Sequence, residues 1–156
     1  MFLYRALRPE EISRGVLIPK SREPFVAPPV MPQVLPFTLG ERSEHAVRAQ
    51  QWDGRYPTSG VSTTPHLKRA EYYAQHHRTI ASIAVDRLAA SGIQMFRVSE
   101  HIHSSLIFAP EDDEVILVCP GAECFPREII ADLIGVSVTT HRHERRSAGA
   151  GDSNAY

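Results

Sequence analysis

The chain has 156 residues, of which 42% are hydrophobic, and a formal net charge of −1. A chain of this length buries one core, so we predict a single domain over residues 1–146 and a small, polar, disordered tail over residues 147–156. The near-neutral charge provides no positive field for a nucleic-acid backbone, and no apolar run approaches the roughly 20 residues of a membrane helix, so we expect neither partner.

The predicted elements begin with a strand over residues 2–6 and a helical turn over residues 9–12 that ends at Gly15. Six of the 12 prolines fall between residues 19 and 36, which predicts a long loop. Ser43 is placed to cap a helix that runs to residue 52. Residues 61–63 form a predicted strand, and Thr64-Pro65 begins a predicted helix over residues 65–75.

The second half of the chain is richer in strands. Residues 79–85, 94–98 and 114–118 carry β-branched side chains between turn residues, which predicts three strands. A proline-started turn over residues 126–130 precedes a last strand near residues 133–138. Strands outnumber helices, so the predicted fold class is α+β.

Polar side chains stand at the ends of, or inside, three of the predicted apolar strands. Glu114 heads the strand 115–118 and is held by backbone, which suits a carboxylate that acts in one geometry. Arg5 places a permanent charge inside an apolar strand, where an anion such as a pyrophosphate would compensate it. Ser62 and Thr63 offer hydroxyls to fix Glu114 and a ribose. The alternatives are a solvated strand end, an outward-facing arginine and a helix N-cap.

Several other side chains are reactive or aromatic and are open to more than one interpretation. His45, on an amphipathic segment, is expected to contact substrate or assist proton transfer, with a surface helix histidine as the alternative. No cysteine or carboxylate completes a ligand set with the paired histidines, so no metal is predicted. Tyr72 or Tyr73 is a candidate to stack on a ring, with at least one of them expected in the core. Cys119 and Cys124 are expected to be buried apolar thiols, with redox groups as the alternative.

A set of short motifs follows in order along residues 3–136. They are Leu3-Tyr4-Arg5-Ala6, Arg8-Pro9-Glu10-Glu11-Ile12, His45-Ala46, Gly60-Val61-Ser62-Thr63-Thr64, Pro110-Glu111-Asp112-Asp113-Glu114-Val115 and Phe125-Pro126-Arg127-Glu128-Ile129. Their order and spacing resemble the catalytic A subunit of the cholera and heat-labile enterotoxin type of ADP-ribosyltransferase.

The resemblance implies two abutting antiparallel β-sheets with flanking helices and NAD in the cleft between them. It implies that Arg5 contacts the phosphate or ribose region of NAD, that Ser62 orients the catalytic Glu114, and that His45 assists near the nicotinamide ribose. Asp112 stands where the family carries a glutamate that activates an arginine acceptor. Aspartate is one methylene shorter, and a displacement of about 1 Å can cost about 100-fold, so water becomes an alternative acceptor.

The sequence therefore predicts a mono-ADP-ribosyltransferase that consumes NAD and modifies a macromolecule, expected to be a protein. An NAD glycohydrolase and a catalytically inactive binding module of the same fold are the alternatives. Residues 1–5 lack the apolar stretch of a signal peptide, so we expect action in a cytoplasm, after delivery as an effector or toxin domain. An inhibitor or immunity protein is left open as a further partner.

Overall fold

The computed structural model of the protein describes residues 1–22, 59–101, 104, 107 and 109–137. The strands in these segments are β1 (Phe2–Ala6), β2 (Gly60–Thr63), β3 (Thr79–Ala84), β4 (Gln94–Arg97), β5 (Val115–Val118) and β6 (Ile130–Gly135). The helices are α1 (Pro9–Arg14), α2 (Leu67–Tyr73), α3 (Val85–Ala90) and α4 (Val98–His101). Single 3-10 turns cover Pro110–Asp112 and Arg127–Ile129. The predicted α+β class is confirmed.

The strands form two small antiparallel sheets. One sheet has the order β1-β3-β6 and the other has the order β2-β5-β4. All four residues of β5 are buried. Val115 and Leu117 enter the main core, whereas Ile116 and Val118 pack with Val98 on the opposite face. Burial on both faces explains why this strand is a continuous apolar run without alternation.

Both sheets contribute to one core. Leu3 and Ile83 of the first sheet cluster with Val61 and Leu117 of the second, and each of these side chains is at most 1% exposed. Phe125, from the loop after β5, is 1% exposed in the same cluster. The shared core holds the two sheets against each other, and this packing fixes where their edges meet.

Several predicted boundaries agree with the structure. β1 covers the predicted residues, and α1 begins at the predicted proline. Gly15 ends α1 in the left-handed conformation, with φ 65°, and its N–H donates to the carbonyl of Glu11 over 2.8 Å. Glycine reaches this conformation without the steric cost of a side chain, so the closing residue was predictable.

Other boundaries were wrong. α2 begins only at Leu67 because the backbone of Thr64 pairs with that of Tyr4 and is extended. The strand predicted over residues 79–85 ends at Ala84, and the unpredicted helix α3 follows at once. β6 begins at Ile130 rather than near residue 133, because pairing with β3 already starts there.

Some predictions concern parts of the chain outside the described residues. These are the proline-rich loop from residue 23 onward, the helix over residues 43–52 and the tail over residues 147–156. In the segments that the structure does describe, no helix combines the length and apolar character needed to cross a membrane.

Candidate active site

A cleft opens where the edges of the two sheets meet. Tyr4 of β1 and Thr64, just after β2, exchange backbone hydrogen bonds of 2.7 Å and 3.0 Å. The cleft beside this bridge has a volume of about 670 Å³, within the range of small-molecule sites. Its walls come from β1, β2, the end of α2 and the turn before β5. They are lined by Tyr4, Arg5, Ala6, Leu7, Arg8, Ile18, Lys20, Gly60, Ser62, Thr63, Thr64, Tyr73, His77, Ala109, Asp112 and Glu114.

Ser62 and Glu114 form the central contact of the cleft. The Ser62 hydroxyl donates to Oε1 of Glu114 over 2.5 Å. Ser62 pairs with Ile116, so Glu114 is its diagonal neighbour on the same face of the sheet. The backbone carbonyl of Glu114 accepts the N–H of Val98 over 2.9 Å, and the residue is 9% exposed. The carboxylate is thus fixed by both its backbone and its side chain.

Arg5 forms an ion pair with Glu11, a partner that was not predicted from the sequence. Its Nε donates to Oε1 of Glu11 over 3.1 Å, and its Nη1 donates to the carbonyl of Ser62 over 2.9 Å. These bonds use two of the five guanidinium N–H groups. The anion that compensates Arg5 is therefore first of all Glu11, and the remaining donors belong to a side chain that lines the cleft.

Glu11 is a completely buried carboxylate with four contacts. Besides Arg5, it accepts the backbone N–H groups of Arg8 at 3.0 Å and Ile18 at 3.1 Å, and Arg8 Nε lies 3.4 Å from Oε2. Burial by itself raises the pKa of Glu11, but the Arg5 charge, the two N–H groups and the Arg8 charge outweigh burial and leave the pKa below its ordinary 4.5. The glutamate at the third helical position, which can accept the N-cap N–H, was the local signal for this role.

The two threonines after Ser62 stabilise the approach to β5. Thr63, which is 3% exposed, donates its hydroxyl to the carbonyl of Val115 over 2.6 Å. Thr64 donates to the carbonyl of Asp112 over 2.6 Å and accepts the N–H of His66. The turn that carries Asp112 is thereby tied to β2. Thr63 lines the cleft as well, but its hydroxyl proton is already donated within the protein.

Asp112 is bound by two side chains of α2. Arg69 donates from Nε to Oδ1 and Tyr73 donates from its hydroxyl to Oδ2, each over 2.6 Å. Partial burial and the bond to Asp112 raise the pKa of Tyr73 to about 12, so this hydroxyl keeps its proton at neutral pH. Tyr72 and Tyr73 are 58% and 50% exposed, so the expectation that one of them packs in the core was wrong.

The structure brings five of the predicted site residues to one cleft, namely Arg5, Ser62, Thr63, Asp112 and Glu114. His45 lies outside the described residues. Arg8, Lys20 and His77 also line the cleft and were not predicted there. They reach the cleft through the packing of the segments on either side of α1 and of the segment after α2, which local sequence patterns do not specify.

Cys119 and Cys124 are free thiols of intermediate exposure, so the expectation that they are buried was wrong. Partial burial, and to a smaller extent the proximity of Cys124, raises the pKa of Cys119. Among the described residues, no group of three or more His, Cys, Asp or Glu side chains is arranged to hold a metal ion.

Comparisons with known proteins add no family assignment. No protein-family profile matches the chain, and no curated protein matches it at a significant level.

Proposed function

We propose that the protein is a mono-ADP-ribosyltransferase that cleaves NAD and transfers ADP-ribose to a macromolecule. The observation that carries the proposal is the contact of Ser62 with Glu114 in a cleft that Arg5 also lines. The abutting antiparallel sheets support an ADP-ribosyltransferase-like fold with NAD between them. The motif resemblance supports the same assignment independently of these distances.

The charges along the cleft suit two parts of NAD, its pyrophosphate linker and its nicotinamide ribose. Arg5, Arg8 and Lys20 line the cleft and offer cations to the pyrophosphate. Glu114 offers a carboxylate to the ribose that bears nicotinamide. A dinucleotide with a doubly charged linker and a cationic ring matches this arrangement better than a neutral ligand does.

Cleavage of NAD requires a fixed negative charge near the ribose more than it requires a nucleophilic side chain of the protein. When the bond between nicotinamide and ribose breaks, its electron pair moves to the ring nitrogen and the ribose acquires oxocarbenium character. A carboxylate that is already oriented stabilises this charge without reorganisation. The hydrogen bond from Ser62 and the β5 backbone hold Glu114 for that role, after which an acceptor attacks the ribose.

A second candidate is an NAD glycohydrolase, in which water is the acceptor. The observation that favours it is the engagement of Asp112 by Arg69 and Tyr73, because a carboxylate bound in this way is less available to activate an arginine. The acceptor of a transferase is expected to be a protein in a cytoplasm reached by delivery as an effector or toxin domain. An inhibitor or immunity protein would then be a natural partner.

Two measurements test these proposals. Release of free nicotinamide from NAD distinguishes an enzyme from a binding module of the same fold. Incubation of a lysate with tagged NAD, followed by identification of the labelled macromolecule, distinguishes a transferase from a glycohydrolase. Intact NAD after prolonged incubation with purified protein and lysate would contradict both enzymatic proposals.

Ser62→Ala is expected to lower kcat for nicotinamide release about 10- to 100-fold, because a hydrogen bond to a charged group contributes about 1.5–3 kcal/mol. The KM for NAD should change little if the hydroxyl acts on Glu114 rather than on the substrate. Ser82→Ala is the matched control, since Ser82 is a buried strand serine that is not among the residues lining the cleft. Equal losses in both variants would argue against an orienting role for Ser62.

Arg5→Lys is expected to raise the KM for NAD about tenfold, since lysine lacks the planar fork that reaches two acceptors at once. Arg5 holds the side chain of Glu11 and the backbone of Ser62 together, and a single ammonium cannot reproduce both contacts. Arg14→Lys is the control, because Arg14 is 52% exposed and pairs only with Glu10 among the described residues. Steady-state kinetics across NAD concentrations measures the effect, and an unchanged KM would remove Arg5 from the binding site.

A further inference from the structure

Asp112 stands at the rim of the cleft with both carboxylate oxygens occupied by its own chain. Arg69 holds Oδ1 and Tyr73 holds Oδ2. The Arg69 guanidinium carbon lies 5.0 Å and 5.7 Å from the ring centroids of Tyr72 and Tyr73, so the guanidinium is supported on a second side. The hydrogen bond to Asp112 raises the pKa of Arg69 above its ordinary value. An incoming arginine would have to compete with Arg69 and Tyr73 for this carboxylate.

The described part of the cleft offers few candidates for a base that could deprotonate an arginine acceptor. A guanidinium has a pKa far above neutral and must lose a proton before it attacks, so it needs a well-placed base. Glu114 is the other carboxylate on the described wall of the cleft, and it accepts the Ser62 hydroxyl at the position proposed to face the ribose cation. An oxygen nucleophile makes a smaller demand, because it can transfer its proton to a weak base as it attacks.

His77 is a side chain of that kind on the same wall. It lies just beyond α2, lines the cleft with Tyr73 and Asp112, and is exposed. Its backbone carbonyl accepts the Thr79 hydroxyl, and within the described segments no hydrogen bond to its ring is present. The next residue back, His76, is equally exposed but is not among the lining residues. The adjacent pair therefore differs in access to the cleft.

We propose that His77 accepts the proton of an oxygen nucleophile, so that the acceptor of this protein is water or a hydroxyl group and not an arginine. This inference rests on the proposed NAD-cleaving function and narrows its acceptor. The oxygen forms the new bond to the ribose carbon, the bond to nicotinamide breaks with its electron pair going to the ring nitrogen, and the proton of the oxygen passes to the imidazole. The imidazolium then returns its proton to solvent.

This role requires the neutral imidazole of His77, because only a ring nitrogen with an available lone pair can accept the proton. Other ionisable groups line the cleft or lie beside His77, and they contribute to the electrostatic potential at its imidazole. They are Tyr4, Arg5, Arg8, Lys20, Tyr73, Asp112 and Glu114 on the cleft wall, with His76 and Arg78 beside His77 in the chain.

The test compares His77→Ala and His77→Gln with the matched control His76→Ala in the full chain. Substrates are NAD in water, NAD with methanol as a simple hydroxyl acceptor, and NAD with agmatine as a soluble guanidine. We expect ADP-ribose and its methyl glycoside from the wild type and no agmatine conjugate. Both His77 variants should form the oxygen-linked products about 100-fold more slowly, whereas His76→Ala should form them at the wild-type rate.

The products and the variants test separate parts of the proposal. The ratio of methyl glycoside to ADP-ribose distinguishes a hydroxyl acceptor from water. Formation of an agmatine conjugate, or His77 variants with unchanged rates, would overturn this inference while leaving NAD cleavage intact. Equal losses in the His76 and His77 variants would also overturn it, because they would indicate a structural effect of the segment. Failure of the wild type to release nicotinamide would overturn the proposed function itself.

Discussion

Replacing Glu114 by glutamine is expected to reduce nicotinamide release from NAD about 100- to 1,000-fold, the size of effect found when one preorganised electrostatic contact to a transition state is removed. Glutamine keeps the shape of the side chain and can still accept the Ser62 hydroxyl through its carbonyl oxygen. The negative charge opposite the developing oxocarbenium ion is lost. The effect should therefore fall on kcat, with a small change in the KM for NAD.

The control for this experiment is Asp113→Asn in the same turn. Asp113 is the residue immediately before Glu114, pairs with Arg97 over 2.9 Å and is not among the residues lining the cleft. It has φ 45°, a left-handed conformation that asparagine tolerates well, so the turn should survive the change. Unaltered turnover in Glu114→Gln would refute the catalytic assignment. Comparable losses in both variants would attribute the effect to the turn instead.

Glu11→Gln is expected to lower the free energy of unfolding at neutral pH by about 3 kcal/mol, a typical cost when one partner of a buried ion pair is removed. Glu11 is completely buried, and its partner Arg5 is only 11% exposed. The substitution leaves the nearly buried Arg5 and the half-buried Arg8 without their shared anion. Because domains of this size are stable by only about 5–15 kcal/mol, urea denaturation should resolve the loss easily.

The Glu11 contribution also predicts a pH dependence. The pKa of Glu11 in the folded protein lies below its ordinary 4.5, so the folded state favours the charged form. The stabilisation is fully present above the unfolded pKa and is lost as pH falls through the folded pKa. The difference in unfolding free energy between the wild type and Glu11→Gln should therefore shrink as the pH is lowered below about 4.5.

Glu10→Gln is the matched control for the buried carboxylate. Glu10 is the preceding residue of α1, is 60% exposed and pairs with Arg14 only at 3.8 Å. An exposed pair of this kind contributes little to stability. The stability of Glu10→Gln should therefore match that of the wild type and show no comparable change with pH. A Glu11→Gln protein as stable as this control would show that the buried network is not needed for the fold.

The sequence predicted the parts of the fold that depend on local rules. β1, the start of α1 and its glycine stop follow from apolar patterning, a proline at the first helical position and the freedom of glycine at positive φ. The strand behind Glu114 was predictable because a short apolar run of β-branched residues favours a buried strand. Helix α3 was missed because residues 79–85 continue the β-branched pattern past the strand end.

The sequence by itself determined which residue types the site would use and on which strands they stand, including Ser62, Arg5 and Glu114. The sequence analysis also predicted the contact of Ser62 with Glu114, which lie 52 positions apart in the chain. Only the tertiary structure decided the other pairings, such as that of Arg69 with Asp112 across 43 positions. Hydrophobic patterning specifies which face of an element is buried, but it does not specify which distant polar group lies opposite. The pairing of distant polar groups depends on how the two sheets pack on their common core. In this packing Arg5 pairs with Glu11, and Asp112 pairs with Arg69.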